Sequence, residues 1–147
     1  MTAVQQGIES ARSGTHPGLI SQVPSGWVVL CDMQYLRGYT ILLPDPVVES
    51  LNALDRQKRA AYLCDMALVG DALLEATGAY RINYAIAGNS DPFLHAHIIP
   101  RYLNEPDEYR KNHPWSYPQE TKDGMKFDAK RDQELIARIA SAIRRRL

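Results

Sequence analysis

The chain has 147 residues, 45% hydrophobic and 23% charged, the profile of one ordinary globular domain. Its 17 Lys and Arg balance 17 Asp and Glu, and a formal net charge of zero argues against a general nucleic-acid binder. No run approaches the ~18 apolar residues of a membrane span, the residues after Met1 lack the pattern of a signal peptide, and Cys31 and Cys64 make neither a zinc knuckle nor a disulfide framework. The expectation is a cytoplasmic domain with no membrane or nucleic-acid partner.

Residues 1–24 are weakly patterned and rich in Gly, Ser, Pro and Gln. They predict an arm with one short helix around Val4 to Arg12, ahead of a single domain spanning 25–147. Trp27 to Cys31 reads as a strand, and Tyr39 to Leu43 as a second, closed by Pro44 and Pro46. Gly38 suits a turn that needs positive φ, and the two strands predict an antiparallel pair. From Asp55 to Thr77 the pattern is helical, with Asp55 as N-cap and Gly78 as stop. Leu63, Met66, Ala67, Gly70, Leu73, Leu74 and Thr77 form its predicted apolar stripe. Arg81 to Ala87 predicts a strand with Ile82, Tyr84 and Ile86 on one face and Arg81, Asn83 and Ala85 on the other. Leu94 to Ile99 predicts another, stopped by Pro100. Residues 104–124 are loop-rich, with the aromatics Tyr109, Trp115 and Tyr117; Trp115 and Tyr117 are available to cover a pocket, to pack at a dimer seam, or simply to pack within the loop. Asp128 caps a last helix whose stripe is Leu135, Ile136, Ile139, Ala142 and Ile143, and Arg144 to Arg146 suit its solvated C-terminus. The fold class is α+β: an antiparallel sheet of about five strands, one long helix against it, and a C-terminal helix.

The informative stretch is Gly88-Asn89-Ser90-Asp91-Pro92-Phe93-Leu94-His95-Ala96-His97-Ile98-Ile99-Pro100-Arg101. Alternation along a strand sends Phe93, His95, His97 and Ile99 to one face and Leu94, Ala96 and Ile98 to the other. The two histidine α-carbons lie ~6.7 Å apart at a strand rise of ~3.3–3.4 Å per residue, so both rings can reach one small group such as a phosphate. Three readings are open. The histidines are structural or merely exposed; they hold a metal, which needs a third ligand; or one imidazole attacks phosphorus while the other assists.

His-Ala-His-Ile-Ile-Pro-Arg, preceded by Asn-Ser, resembles the signature of the histidine triad (HIT) superfamily, His-φ-His-φ-His-φ-φ preceded by Gln-Ser or Gln-Thr. Gly38 to Pro44 is similar to the family's Gly-His-strand-Pro segment, and the resemblance spans roughly Trp27 to Tyr102. Residues 102–118 resemble, less specifically, bacterial HIT proteins of the diadenosine-polyphosphate-hydrolase kind. By this resemblance His95 takes the nucleophile's position, His97 the triad's last position, and Phe93 replaces the first histidine. Asn89 stands where the family has Gln, Ser90 where it has Ser or Thr, and Tyr39 where many members have another His. The resemblance implies a HIT-like fold, a homodimer, and a nucleotide hydrolase or transferase cleaving at an α-phosphate through a nucleotidyl-histidine on His95. Dinucleoside polyphosphates are the first substrate class and nucleoside phosphoramidates the second. No cofactor is expected to be permanently bound, and Mg²⁺ is expected at most with the substrate. His97, Asn89 and Ser90 are the candidate phosphate contacts, Asp32 the candidate sugar contact, and Asn83 a further phosphate candidate. The alternative is a nucleotide-binding protein without turnover, its triad degenerate at Phe93; a metal site at His95 and His97 is a minor one. Arg101 reads as a surface salt bridge or phosphate contact, Cys31 and Cys64 as core thiols, and His16 and His113 as surface residues.

Overall fold

Thr2 opens the chain with a reciprocal cap. Its hydroxyl accepts from Gln5 N, and the Gln5 side chain accepts from Thr2 N. Such a box satisfies free N–H groups at a helix start, and helix α1 runs Ala3–Ser13 until Gly14 ends it in the left-handed region, φ 76°. The computed structural model describes all of residues 1–147. Strand β1 (Leu19–Val23) follows α1 at the sheet edge. Residues 1–24 are therefore a helix and a strand, not a weakly structured arm. The short helix is where the sequence places it. The strand escapes a period-2 reading because its pairing with the next strand shifts register between Leu19 and Ser21. The irregularity lets Ile20 and Val23, three residues apart, both enter the core.

Strands β2 (Gly26–Leu30) and β3 (Thr40–Pro44) pair antiparallel, Trp27 opposite Leu43 and Leu30 opposite Thr40. The approach is close enough that a Cβ on Gly26 would lie 1.9 Å from the Leu43 carbonyl oxygen. Helix α2 (Arg56–Thr77) starts at the predicted cap, where the Asp55 side chain accepts from Lys58 N at 2.8 Å, and ends at Gly78. Its buried face is Tyr62, Asp65, Val69, Gly70, Ala72 and Leu73, turned by about one residue from the predicted stripe, so that Ala67 and Leu74 are exposed. Two groups outside the apolar pattern help set the rotation. Tyr62 Oη donates to Leu42 O at 2.7 Å, and the Asp65 carboxylate accepts from Ser25 N at 2.9 Å.

Strands β4 (Arg81–Ala85) and β5 (Ala96–Arg101) complete an antiparallel sheet of order β1-β2-β3-β5-β4. Pro100 lies inside β5 and does not stop it. The ladder to β3 ends at Thr40 opposite Ile98, so only β4 flanks the strand at the proline. Two short helices, α3 (Asp107–Arg110) and α4 (Gln119–Asp123), precede α5 (Ala129–Arg144), which Asp128 caps through Arg131 N. Arg145 and Arg146 at its end pair with Glu75 of α2.

Helices α2 and α5 cover one face of the sheet, over Val28, Leu30, Leu42, Ala96 and Ile98. On the other face α1 covers one part, with Val4 and Ile8 against Val29 and Leu43. An aromatic segment covers another part around Tyr39, Ile99 and Tyr117. The architecture is the α+β arrangement read from the sequence. No helix is long and apolar enough to cross a membrane.

Candidate active site

Between those two covers the sheet face opens into a cleft of about 680 Å³ lined by α1, the turn before β1, the end of β2, and His95 and His97. The β3–β5 register sets His97 opposite Ile41. Alternation holds as predicted: Leu94, Ala96 and Ile98 are buried in the core under α2 and α5, while the His95 and His97 rings meet edge-on with centroids 5.0 Å apart.

The two rings are held differently. His95 Nδ1 lies 2.8 Å from Phe93 O. A carbonyl only accepts, so Nδ1 carries the proton and Nε2 keeps a lone pair. His97 Nδ1 lies 2.7 Å from Tyr39 Oη, which also receives Trp115 Nε1–H at 3.3 Å. Burial, and then the neighbouring His95, pull His97 down to about 4, so its ring is neutral at pH 7. Burial pushes the Tyr39 phenol well above its ordinary value, so it remains an O–H. Phe93 packs against the α1 cluster of Val4, Ile8, Val29 and Leu43. The side chain at the triad's first position thus makes an apolar contact and carries no polar atom.

Asp32 stands at the cleft wall, its carboxylate mostly exposed and 3.8 Å from Lys126 Nζ. The remaining candidates fall outside. Asn89 and Ser90 are exposed and do not line the cleft. Asn83 accepts from Arg101 Nη1 at 2.7 Å and borders a separate depression beside Trp115. The structure therefore gathers His95, His97 and Asp32 and leaves Asn89, Ser90 and Asn83 apart. No group of three or more His, Cys, Asp or Glu side chains is placed to hold a metal ion, so the His95–His97 pair lacks the third donor a metal site needs.

Four residues enter that sequence reasoning did not place. His16 lines the cleft, half-buried, with Nδ1 accepting from Gly18 N at 3.0 Å. It sits in a turn without a motif, and only the α1–β1 fold brings it near. Asp91 also lines the cleft; one carboxylate oxygen accepts from Val4 N at 2.9 Å and the other is buried without a partner. Gln34 is fully buried and holds the β2–β3 connection, donating to Cys31 O and Tyr39 O and accepting from Gly38 N. Arg101 is only 2% exposed. Its guanidinium donates to Glu105, Asn83, Tyr109 O and Asn112 O, so it is neither a surface ion pair nor free for phosphate. Cys31 is a buried thiol pushed up to about 11 by burial, whereas Cys64 is exposed rather than a core thiol.

Solved structures share this fold. A histidine triad protein from Sinorhizobium meliloti 1021 matches with TM-score 0.72 at 22% identity, covering 84% of this chain and 87% of its own. One from Bradyrhizobium japonicum matches with TM-score 0.66 at 27% identity, covering 86% and 87%. A hypothetical histidine triad nucleotide-binding protein from Sulfolobus tokodaii strain7 matches with TM-score 0.73 at 18% identity, covering 95% and 92%. No protein-family sequence model and no curated protein matches the chain. The five-stranded antiparallel sheet with its helices is the HIT fold. By that architecture, with His95 leading into β5 and His97 lying on it, the chain has the fold of the histidine triad proteins it resembles.

Proposed function

We propose that this protein binds nucleotides in the cleft and cleaves them at the α-phosphate. Dinucleoside polyphosphates are the first substrate class and nucleoside phosphoramidates the second. The observation that carries the reading is His95: with Nδ1–H given to Phe93 O, its Nε2 lone pair is left for nucleophilic use. In the proposed step Nε2 bonds to the α-phosphorus as the bond to the leaving oxygen or nitrogen breaks. The leaving group departs with the electron pair and takes up a proton. Water then attacks the nucleotidyl-His95, the P–N bond breaks, and nucleoside monophosphate and free imidazole result. His97 donates to a phosphate oxygen, in keeping with the weight of charge stabilisation in phosphoryl transfer. Asp32, at the cleft wall, takes a sugar hydroxyl. Mg²⁺ enters only on the polyphosphate. Asn89 and Ser90 reach the phosphates if the loop that carries them folds over bound substrate.

The same reading includes a cytoplasmic homodimer. The open β4 edge supports pairing, with Tyr80, Tyr84 and Ile86 among the exposed large apolar side chains. A second reading, a nucleotide-binding protein without turnover, draws on Phe93, whose side chain offers the site no hydrogen bond. Turnover of a panel of diadenosine polyphosphates and adenosine phosphoramidate by wild type and His95→Ala, read by chromatography, separates them. Turnover lost in His95→Ala supports the enzyme. Nucleotide binding by calorimetry with no turnover in wild type overturns it in favour of the binder.

A further inference from the structure

We infer that Tyr39 is a positioning residue for this site, its phenol held by Trp115 so that His97 is fixed as the tautomer with the proton on Nε2. The inference rests on the reading of His97 as a donor to phosphate oxygen. It begins with what each atom can do. An indole N–H only donates, so the 3.3 Å contact makes Tyr39 Oη the acceptor from Trp115. The phenol's own proton then needs an acceptor. The tyrosine is fully buried, and His97 Nδ1 at 2.7 Å is the one other hydrogen-bond partner of its oxygen. The reverse arrangement, with His97 Nδ1–H donating, leaves the phenol proton buried without a partner, which is costly. Nδ1 therefore accepts, and the proton of the neutral ring sits on Nε2.

The two histidines thus carry opposite tautomers. His95 presents a lone pair at Nε2 because Phe93 O takes its Nδ1–H. His97 presents Nε2–H because Tyr39 fills its Nδ1. One ring suits attack on phosphorus and the other suits donation to oxygen, and they stand two residues apart. The sheet builds the contact. Thr40 pairs with Ile98 and Ile41 with His97, so Tyr39, immediately before β3 and two residues from Ile41, is a diagonal neighbour of His97 on the same face. The tyrosine's place is over-determined. Its carbonyl accepts from Cys31 N at 2.8 Å and Gln34 Nε2 at 2.9 Å, its amide donates to Leu36 O at 3.0 Å, and Tyr35 meets its ring edge-on. Trp115 in turn rides on a turn anchored by Tyr35 Oη donating to Pro114 O at 2.7 Å. Phe93 supports His95 through its backbone carbonyl, but its side chain offers His97 nothing polar, so the orienting hydrogen bond for His97 comes from Tyr39, the residue before β3.

The test is the tautomer itself, read by ¹⁵N NMR of histidine-labelled, ligand-free protein, with kcat and KM measured against pH. Wild type is expected to show His97 with an unprotonated, hydrogen-bonded Nδ1 and Nε2–H. Tyr39→Phe keeps the ring and removes the hydroxyl. It is expected to leave His97 a tautomer mixture, to move the acid limb of kcat/KM upward because the neutral ring loses its donor, and to lower kcat by ~10–100-fold, by analogy with the orienting partners of metal-bound histidines, with KM within ~3-fold. Trp115→Phe is expected to shift tautomer and profile in the same direction by less, and it keeps the test open should Tyr39→Phe fold poorly. A wild-type His97 carrying its proton on Nδ1 overturns the inference. So does a Tyr39→Phe protein with unchanged tautomer and pH profile, even if its thermal stability falls. The spectrum is taken without substrate, so a failure of turnover counts against the enzyme reading and leaves the tautomer to be judged by NMR.

Discussion

Arg101→Met removes a buried guanidinium whose partners tie β5 to the aromatic segment. Arg101 Nη2 and Nε reach Glu105 at 3.0–3.3 Å, while Nη1 reaches Asn83 Oδ1 and Asn112 O at 2.7 Å and Nη2 reaches Tyr109 O at 2.6 Å. Methionine fills much of the volume but donates nothing, so Glu105 stays behind as a buried carboxylate beside Tyr117 Oη and Tyr102 N. Breaking a buried pair by removing one partner costs ~3–5 kcal/mol, against a total of ~5–15 kcal/mol for a domain of ordinary stability. Urea unfolding at pH 7, followed by Trp27 and Trp115 fluorescence, should lower the extrapolated stability by that ~3–5 kcal/mol. Glu105→Leu alone should also destabilise. The double variant should lose less than the two singles added, with a coupling of ~1–3 kcal/mol. A loss below ~1 kcal/mol for Arg101→Met, the size of an exposed ion pair, would refute the assignment of Arg101 as a buried anchor.

Phe93→His should cost ~1–2 kcal/mol of stability, because it places a polar ring against the α1 cluster, and should change turnover by no more than a few-fold; a ~100-fold gain would mark the native site as degenerate and contradict a two-histidine enzyme. His97, held near 4 when folded and ordinary near 6.5 when unfolded, binds more protons in the unfolded chain between those values. Its contribution to stability is therefore complete above about pH 6.5 and is lost as pH falls toward 4. Between pH 7.5 and 5 wild type should lose ~1 kcal/mol more than His97→Gln by urea unfolding, a figure halved from the ideal ~2 kcal/mol for the ring's open side, and equal losses in the two proteins would count against a buried neutral His97. Glu105 adds to the loss in more acid solution: burial alone would raise it, but Arg101, Tyr117 and Tyr102 outweigh that and hold it below its ordinary value, so its contribution disappears as pH falls below the usual carboxylate range.

The sequence carried the parts of the fold that rest on period and punctuation. Asp55 and Gly78 bound α2, Asp128 caps α5, and the alternation through Leu94, Ala96 and Ile98 sends both histidines to the open face. What it concealed depends on contacts between distant segments. The rotation of α2 goes with Tyr62 reaching Leu42 O and Asp65 meeting Ser25 N, neither of which an apolar pattern contains. β1 is obscured by a register shift. His16 and Asp91 enter the cleft only because α1 and β1 fold against the sheet, a packing that the weak pattern of residues 1–24 does not announce. Arg101 looked like a surface cation because nothing local announces that Glu105, Asn83 and two loop carbonyls will enclose it. Tyr39 was legible as a substitution within a family-like segment, but its bond to His97 needed the β3–β5 register and Trp115 from 76 residues downstream.

The measurement that bears most directly on the central claim is a search for the covalent intermediate. Wild type and His95→Ala are mixed with a diadenosine polyphosphate, quenched within a turnover, digested and analysed by mass spectrometry. The account predicts a nucleotidyl adduct on the peptide containing His95 in wild type, acid-labile as a P–N bond should be, and none in His95→Ala. Turnover in wild type with no adduct under any quench, and undiminished turnover in His95→Ala, would contradict it.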